Sequence, residues 1–184
     1  MPPANRVRII GGRHRGRRIA VPDAPGLRPT PDRVRETLFN WLGQDLSGRA
    51  TLDLYAGTGA LTLEAQSRGA ALSVAVDRNP ALVRSLRDAA RALGQDGVEV
   101  HVDDALRFLD REARRFDVVF LDPPFADDPW PALFARLPGR LVAGGYVYAE
   151  APRELALPRG WEALRHERAG AVHYHLLAPG AAPP

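Results

Sequence analysis

The chain has no cysteine among its 184 residues. Disulfides, thiolate metal sites and cysteine nucleophiles are therefore excluded. No Gly-x-Ser-x-Gly elbow occurs either, so a serine hydrolase of that type has no support. No apolar run approaches the ~18 residues of a membrane span, and the opening Met1-Pro2-Pro3-Ala4-Asn5-Arg6 lacks the apolar stretch of a signal peptide. The expectation is a cytoplasmic protein. Lysine is also missing: all 25 basic residues are arginine. Such a bias is the mark of coding composition, so the placement of arginine carries more information than its amount.

That placement is uneven. Residues 1–40 hold nine arginines against three acids, whereas residues 41–184 hold sixteen against nineteen, which together give the net charge of +3. Arg13, Arg15, Arg17 and Arg18, with His14 and Gly16 between them, form the densest cluster. A basic arm on a mildly acidic body suits a polyanionic partner, although on charge alone a solvated basic turn is an equal reading. The length fits one domain with a sizeable core.

Chemistry is concentrated at strand ends. Val118-Val119-Phe120-Leu121 is a continuous apolar run of the kind found in a central parallel strand covered on both faces. Asp122-Pro123-Pro124-Phe125 follows, and two prolines cannot donate to a sheet ladder, so the strand stops at Asp122. Ligands of open α/β sheets bind at that carboxyl edge. There the Asp122 carboxylate and a neighbouring carbonyl, that of Pro123, can accept from the exocyclic amino group of a base, with Phe125 stacked on its ring. A plain strand with a proline turn is the competing reading.

Upstream, Thr51-Leu52-Asp53-Leu54-Tyr55-Ala56-Gly57-Thr58-Gly59-Ala60-Leu61 reads as strand, glycine turn and helix start. Gly57 and Gly59 permit positive φ and close approach of a ligand to the backbone. A dinucleotide fingerprint would place Gly or Ala at position 62, where this chain has Thr62. Twenty residues after Gly57, Asp77 closes the strand Leu72–Val76 and can accept from two ribose hydroxyls. Asp53, before the turn, suits a cationic ammonium. A neutral sugar, a cation and no demand for pyrophosphate fit S-adenosylmethionine better than NAD, and a nicotinamide oxidoreductase is disfavoured. A non-catalytic RNA-binding module would have no need for Asp53, Asp77 and Asp122 at three strand ends.

With these motifs together, the chain resembles a class I methyltransferase, and specifically the RsmD family of small-subunit rRNA guanine-N2 methyltransferases. The matching segments are Ile9-Ile10-Gly11-Gly12, Arg15-Gly16-Arg17, Leu27-Arg28-Pro29-Thr30, Asp32 to Phe39, Asp53 to Leu61 and Asp122 to Phe125. The resemblance implies S-adenosylmethionine as cofactor and 16S rRNA as partner, within an assembling or assembled small subunit. It implies methylation of a guanine N2 amino group. Adenine N6 methylation in RNA or DNA would use the same grip. It implies cofactor contacts from Asp53, Tyr55, Gly57, Gly59, Asp77, Arg78, Asp104 and Ala105, with Asp104 favoured over Asp103 beside adenine. Asp122, Pro123 and Phe125 would be catalytic. Arg13, Arg15, Arg17, Arg18, Arg28 and Arg33 would meet RNA.

The expected architecture is a Rossmann-like α/β fold. It has a mostly parallel sheet, a closing antiparallel pair and a basic N-terminal hairpin and helix. Residues 1–45 form the extension, 46–177 the core and 178–184 a disordered tail. Val7–Val21 reads as the hairpin. Thr30 is expected to cap a helix beginning at Pro31, and Asn79 one beginning at Pro80. Ala60–Arg68, Pro80–Leu93, Ala105–Arg114 and Pro131–Leu137 read as helices. Val98–Val102, Phe116–Leu121 and Gly145–Glu150 read as strands, and Trp161–His166 and Ala171–Leu177 as the closing pair. Glu150 lies near the active edge without an assigned role. His173 and His175 share a strand face but lack an identifiable third ligand, so no metal is expected.

Overall fold

A computed structural model describes residues 6–180. A two-stranded hairpin, β1 (Arg6–Arg8) and β2 (Arg18–Ala20), precedes helix α1 (Asp32–Trp41). The core then runs β3 (Ala50–Asp53), α2 (Ala60–Ser67), β4 (Leu72–Asp77), α3 (Pro80–Ala92), β5 (Val98–Val102) and α4 (Ala105–Arg111). It continues with β6 (Phe116–Leu121), α5 (Trp130–Arg136), β7 (Leu141–Ala151), β8 (Trp161–Ala169) and β9 (Val172–Pro179). The main sheet has the order β5-β4-β3-β6-β7-β9-β8. Pairs from β5 to β7 are parallel, and β9 joins β7 and β8 antiparallel.

Strand alternation sends side chains to two cores. Val119 and Leu121 pack with Phe108 and Leu109 of α4 and Leu133 of α5. Val118 and Phe120 point the other way, toward Val34 and Leu38 of α1 and Leu61 of α2. Helix α3 buries Leu82, Val83, Leu86 and Ala90, the i, i+1, i+4, i+8 stripe of an amphipathic helix. Its Asn79 cap accepts from the Ala81 N–H at 2.9 Å, as the sequence predicts.

The N-terminal hairpin is clamped to this body. Glu64 of α2, fully buried, accepts from the N–H groups of Ile10 and Gly11 at 2.9 and 2.8 Å. It also meets Arg68 at 2.8 Å and Arg35 of α1 at 3.4 Å. Arg35 is 1% exposed, and its other donors reach the Arg8 and Thr30 carbonyls and Asp32. A buried ion pair of this kind is costly to break by halves, at about 3–5 kcal/mol, because the remaining charge is stranded.

Four expectations are corrected. Thr30 does not cap α1: Pro31 occupies the cap position, and the Thr30 hydroxyl donates to Glu150 at 3.1 Å. Helix α4 ends at Arg111 because Glu112 turns extended and its carboxylate binds the Arg114 backbone and guanidinium. Strand β7 begins at Leu141, the register shifting opposite Phe116 and Val118 where Gly144 and Gly145 interrupt the side-chain pattern. Strand β9 includes Ala178 and Pro179, and the Gly180 N–H donates to Gly160 O, so a tail beginning at 178 is not observed. Residues 181–184 lie outside the described residues.

Candidate active site

From β3 the chain winds outward through β4 and β5, then returns to place β6 on the other side of β3. The crevice outside the carboxyl ends of β3 and β6 is thus the topological switch point, where ligands of such sheets bind. A cavity of about 1030 Å³ lies there. Its walls come from the glycine turn, the ends of β4 and β5, the segment Asp122–Pro129, Glu150 at the end of β7 and the proline-rich segment Ala24–Pro31.

Register places three acids on one sheet face. Asp53 pairs laterally with Phe120, and Phe120 with Tyr148. Asp122 and Glu150 each lie two residues further along that same face. Asp53 is 3% exposed, and its carboxylate accepts from the Thr62 hydroxyl at 2.9 Å. Burial outweighs that bond, and with nearby Asp77 and Glu150 it pushes the Asp53 carboxyl up to about 7. Asp122 is only partly exposed, toward the cavity; burial first, then Glu150 and Asp53, raises its carboxyl well above the usual range. Glu150 is raised by burial, partly offset by hydrogen bonds from the Tyr148 and Thr30 hydroxyls. Among the described residues none of these three acids forms an ion pair. Buried carboxylates without cations suit a ligand that brings positive charge.

The glycine turn is built by its neighbours. Gly57 has φ +53° and donates its N–H to Asp77 at 2.9 Å, while the other Asp77 oxygen accepts from the Asn79 N–H at 2.8 Å. Asp77 therefore braces the turn as well as facing the cavity. Gly59, at φ +76°, starts α2 and is not among the cavity-lining residues; a Cβ there would sit 2.2 Å from Leu86 Cδ1. Its lack of a side chain serves packing against α3. Asp104 caps α4, accepting from Leu106 and Arg107 N–H groups at 3.0 Å each, and Asp103 is buried against Arg111. Both acids line the cavity, as do Tyr55, Arg78 and Ala105.

Asp122, Pro123 and Phe125 come together at the cavity, with Phe125 49% exposed. Of the six arginines expected to meet RNA, Arg28 alone lines the cavity. Arg13, Arg15, Arg17 and Arg18 are exposed on the hairpin, and Arg33 is exposed on α1. Arg18 faces Arg8 across the hairpin, and with Arg6 and Asp32 these line a separate hollow of about 340 Å³. His175 is spent on backbone: its Nε2 accepts from the Leu155 N–H, so Nδ1 carries the proton toward Ala149 O. No group of three or more potential metal ligands is assembled among the described residues.

Sequence reasoning missed Glu150 and Thr30 as one unit. The available signal was an acid at the end of a fifth strand on the edge that already held Asp53, Asp77 and Asp122. It also left unassigned the roof of the cavity, where Leu27 covers Gly57, its Cδ1 3.3 Å from where a Cβ would lie.

The sheet order, the glycine turn and the strand-end acids define an S-adenosylmethionine-dependent methyltransferase fold of class I. A sequence family described as "Conserved hypothetical protein 95" matches residues 7–178. The ribosomal RNA small subunit methyltransferase D of Escherichia coli K12 is 39% identical over 178 residues, covering 94% of this chain and 90% of that protein. The chain belongs to this family, the RsmD methyltransferases. A solved putative methyltransferase from Escherichia coli superposes with a TM-score of 0.87 at 37% identity, covering 97% of this chain and all of that one. A Salinibacter ruber RNA methyltransferase, solved with S-adenosyl-L-homocysteine, shares the fold with a TM-score of 0.64 at 23% identity over 85% of this chain and 97% of that one. Among the described residues, no helix is long and apolar enough to cross a membrane.

Proposed function

We propose that this protein methylates the exocyclic N2 amino group of one guanine in small-subunit rRNA, using S-adenosylmethionine. The observation that carries the reading is the Asp122 carboxylate, set on the same cavity as the Gly57 turn and opening toward an exposed aromatic ring. The substrate class follows the name of the Escherichia coli relative.

Asp77, Tyr55, Arg78 and the 103–105 turn would hold the nucleoside part, and Asp53 the ammonium. When bound, the cofactor supplies a methyl group already activated on a sulfonium. The guanine amino nitrogen is a weak nucleophile because its lone pair is delocalised into the ring. Asp122 as a carboxylate, with the Pro123 carbonyl, accepts the amino hydrogens and fixes the nitrogen in line. The same carboxylate stabilises the positive charge that grows there, and the surplus amino proton leaves to solvent through Asp122 or water, giving the neutral N2-methyl product. Phe125 stacks on the base, which must be unstacked to enter. Positioning of this kind supplies up to ~7–11 kcal/mol of a barrier. The exposed arginines of the hairpin, whose backbone Glu64 clamps to the body, meet phosphates, which orient the RNA and leave target choice to its shape.

The test is transfer of a radiolabelled methyl group to unmodified small-subunit particles, naked rRNA and duplex DNA. Label in RNA, strongest in structured particles, is the expected result. Efficient labelling of DNA, or no labelling of any RNA, overturns the proposal.

A further inference from the structure

Glu150 is a buried acid that the scheme above does not use. It is 5% exposed and follows Ala149, which lies opposite Leu121 in the sheet, so it stands beside Asp122 on the neighbouring strand. Its Oε1 accepts from the Tyr148 hydroxyl at 2.8 Å and the Thr30 hydroxyl at 3.1 Å. Two donors on one oxygen favour its carboxylate form against the burial that raises it, since a protonated acid gains less from accepting. Keeping two carboxyl groups side by side under burial is unfavourable when both are charged, so one of them holds a proton. The hydroxyls select Glu150 as the charged member and leave the proton on Asp122. Asp53 on β3 is the third acid facing Asp122, and Arg28 and Arg78 are the basic residues lining the same cavity.

Resting on the methyl-transfer reading, we propose that Glu150 is a positioning residue that acts through Asp122. Fixed as a carboxylate by Tyr148 and Thr30, it keeps Asp122 protonated in the empty cavity, so that Asp122 becomes the amino-gripping carboxylate only after a cationic cofactor has entered. The proton leaves Asp122 for solvent as the positive charge arrives. Thr30 belongs to the segment that roofs Gly57, so the arrangement also requires that segment to be in place. A base reaching the site before the cofactor meets a protonated Asp122 that accepts poorly from an amino group. The order of assembly is thereby cofactor first.

The experiment is carbon-13 NMR of the full-length protein labelled at aspartate and glutamate carboxyl groups, with the Asp122 signal assigned from Asp122→Asn. In the empty wild type Asp122 stays protonated above the usual carboxylate range. S-adenosylmethionine converts it to the carboxylate, whereas S-adenosylhomocysteine, lacking the sulfonium charge, converts it less. Glu150→Gln keeps an acceptor for Tyr148 and Thr30, and in it the Asp122 midpoint falls by about one pH unit or more. The rise of kcat with pH moves down with it. An ionised Asp122 in the empty wild type, or a midpoint unmoved in Glu150→Gln, overturns the inference. If Glu150→Gln does not fold, Tyr148→Phe, which removes one donor from Glu150, decides in its place: the Asp122 midpoint falls if the inference holds and is unmoved if it fails. Should Asp122 behave as described while no RNA is methylated, the functional reading fails and the carboxylate pair stands. RNA methylation with an Asp122 indifferent to Glu150 sinks the pair alone.

Discussion

With Asp53 holding the cofactor ammonium, as proposed, cofactor binding becomes a titration. Its folded midpoint of about 7 lies far above the ordinary 3.8, chiefly through burial. A carboxyl raised on folding stabilises the empty protein below its unfolded midpoint, and that contribution is lost as pH rises through the folded one. The cost of ionising it, from the two midpoints, is of the order of 4 kcal/mol at most. A ligand ammonium beside Asp53 favours the carboxylate and so expels the proton. Asp53 should then contribute about 0.9 released proton at pH 6, about 0.5 at pH 7 and about 0.1 at pH 8. Apparent affinity should rise about tenfold across that span, or ~1.4 kcal/mol. Titration calorimetry in buffers of different ionisation enthalpy reads proton release directly, and S-adenosylhomocysteine is the cleaner ligand because it carries the same ammonium without the sulfonium charge that also acts on Asp122. Asp53→Asn, which keeps an acceptor for Thr62, should lose this component and flatten the profile. Identical proton release in wild type and Asp53→Asn would refute the assignment.

Asp77→Ala should weaken S-adenosylmethionine by ~1.5–3 kcal/mol, the scale of a lost charged hydrogen bond. Because Asp77 also holds the Gly57 and Asn79 N–H groups, its melting temperature should fall too; unchanged affinity in a folded variant contradicts the ribose role. Asp122→Ala should bind cofactor almost normally and lose most turnover, with Asp122→Asn intermediate, as single-turnover rates will reveal. Glu64→Ala should destabilise by up to about 3–5 kcal/mol in denaturant titrations, since it leaves the Ile10 and Gly11 N–H groups without their acceptor and Arg35 with Asp32 as its remaining carboxylate. Replacing Arg13, Arg15, Arg17 and Arg18 by serine should flatten the salt dependence of RNA binding by ~0.7–0.9 per lost phosphate contact while leaving cofactor affinity near wild type.

The sequence was most legible where structure is local. Strands Leu72–Asp77 and Phe116–Leu121 are nearly continuous apolar runs, Val98–Val102 alternates apolar with polar residues, and each appears at or within a residue of its expected span. The start of α3 was written in Asn79-Pro80. Partners far apart in the chain left no such trace. Thr30 has cap chemistry, yet a carboxylate 120 residues away takes its hydroxyl. Arg35 lies in a helix of ordinary pattern, and only the fold shows it buried against Glu64. Gly59 looked like its neighbour Gly57, but the space it leaves belongs to Leu86 of another helix. Arg28 shared a charge with the hairpin cluster and not its location. For the site, the strand-end acids were readable because each closes a strand; the coupling between them depends on lateral register, which no single strand encodes.

The most direct test of the account is nucleoside mass spectrometry of small-subunit rRNA after incubation of unmodified particles with the protein and S-adenosylmethionine. The account predicts N2-methylguanosine at one position, absent when Asp122→Ala replaces the wild type. Methyl groups found on adenine N6, or on guanine at an undiminished level with Asp122→Ala, would contradict it.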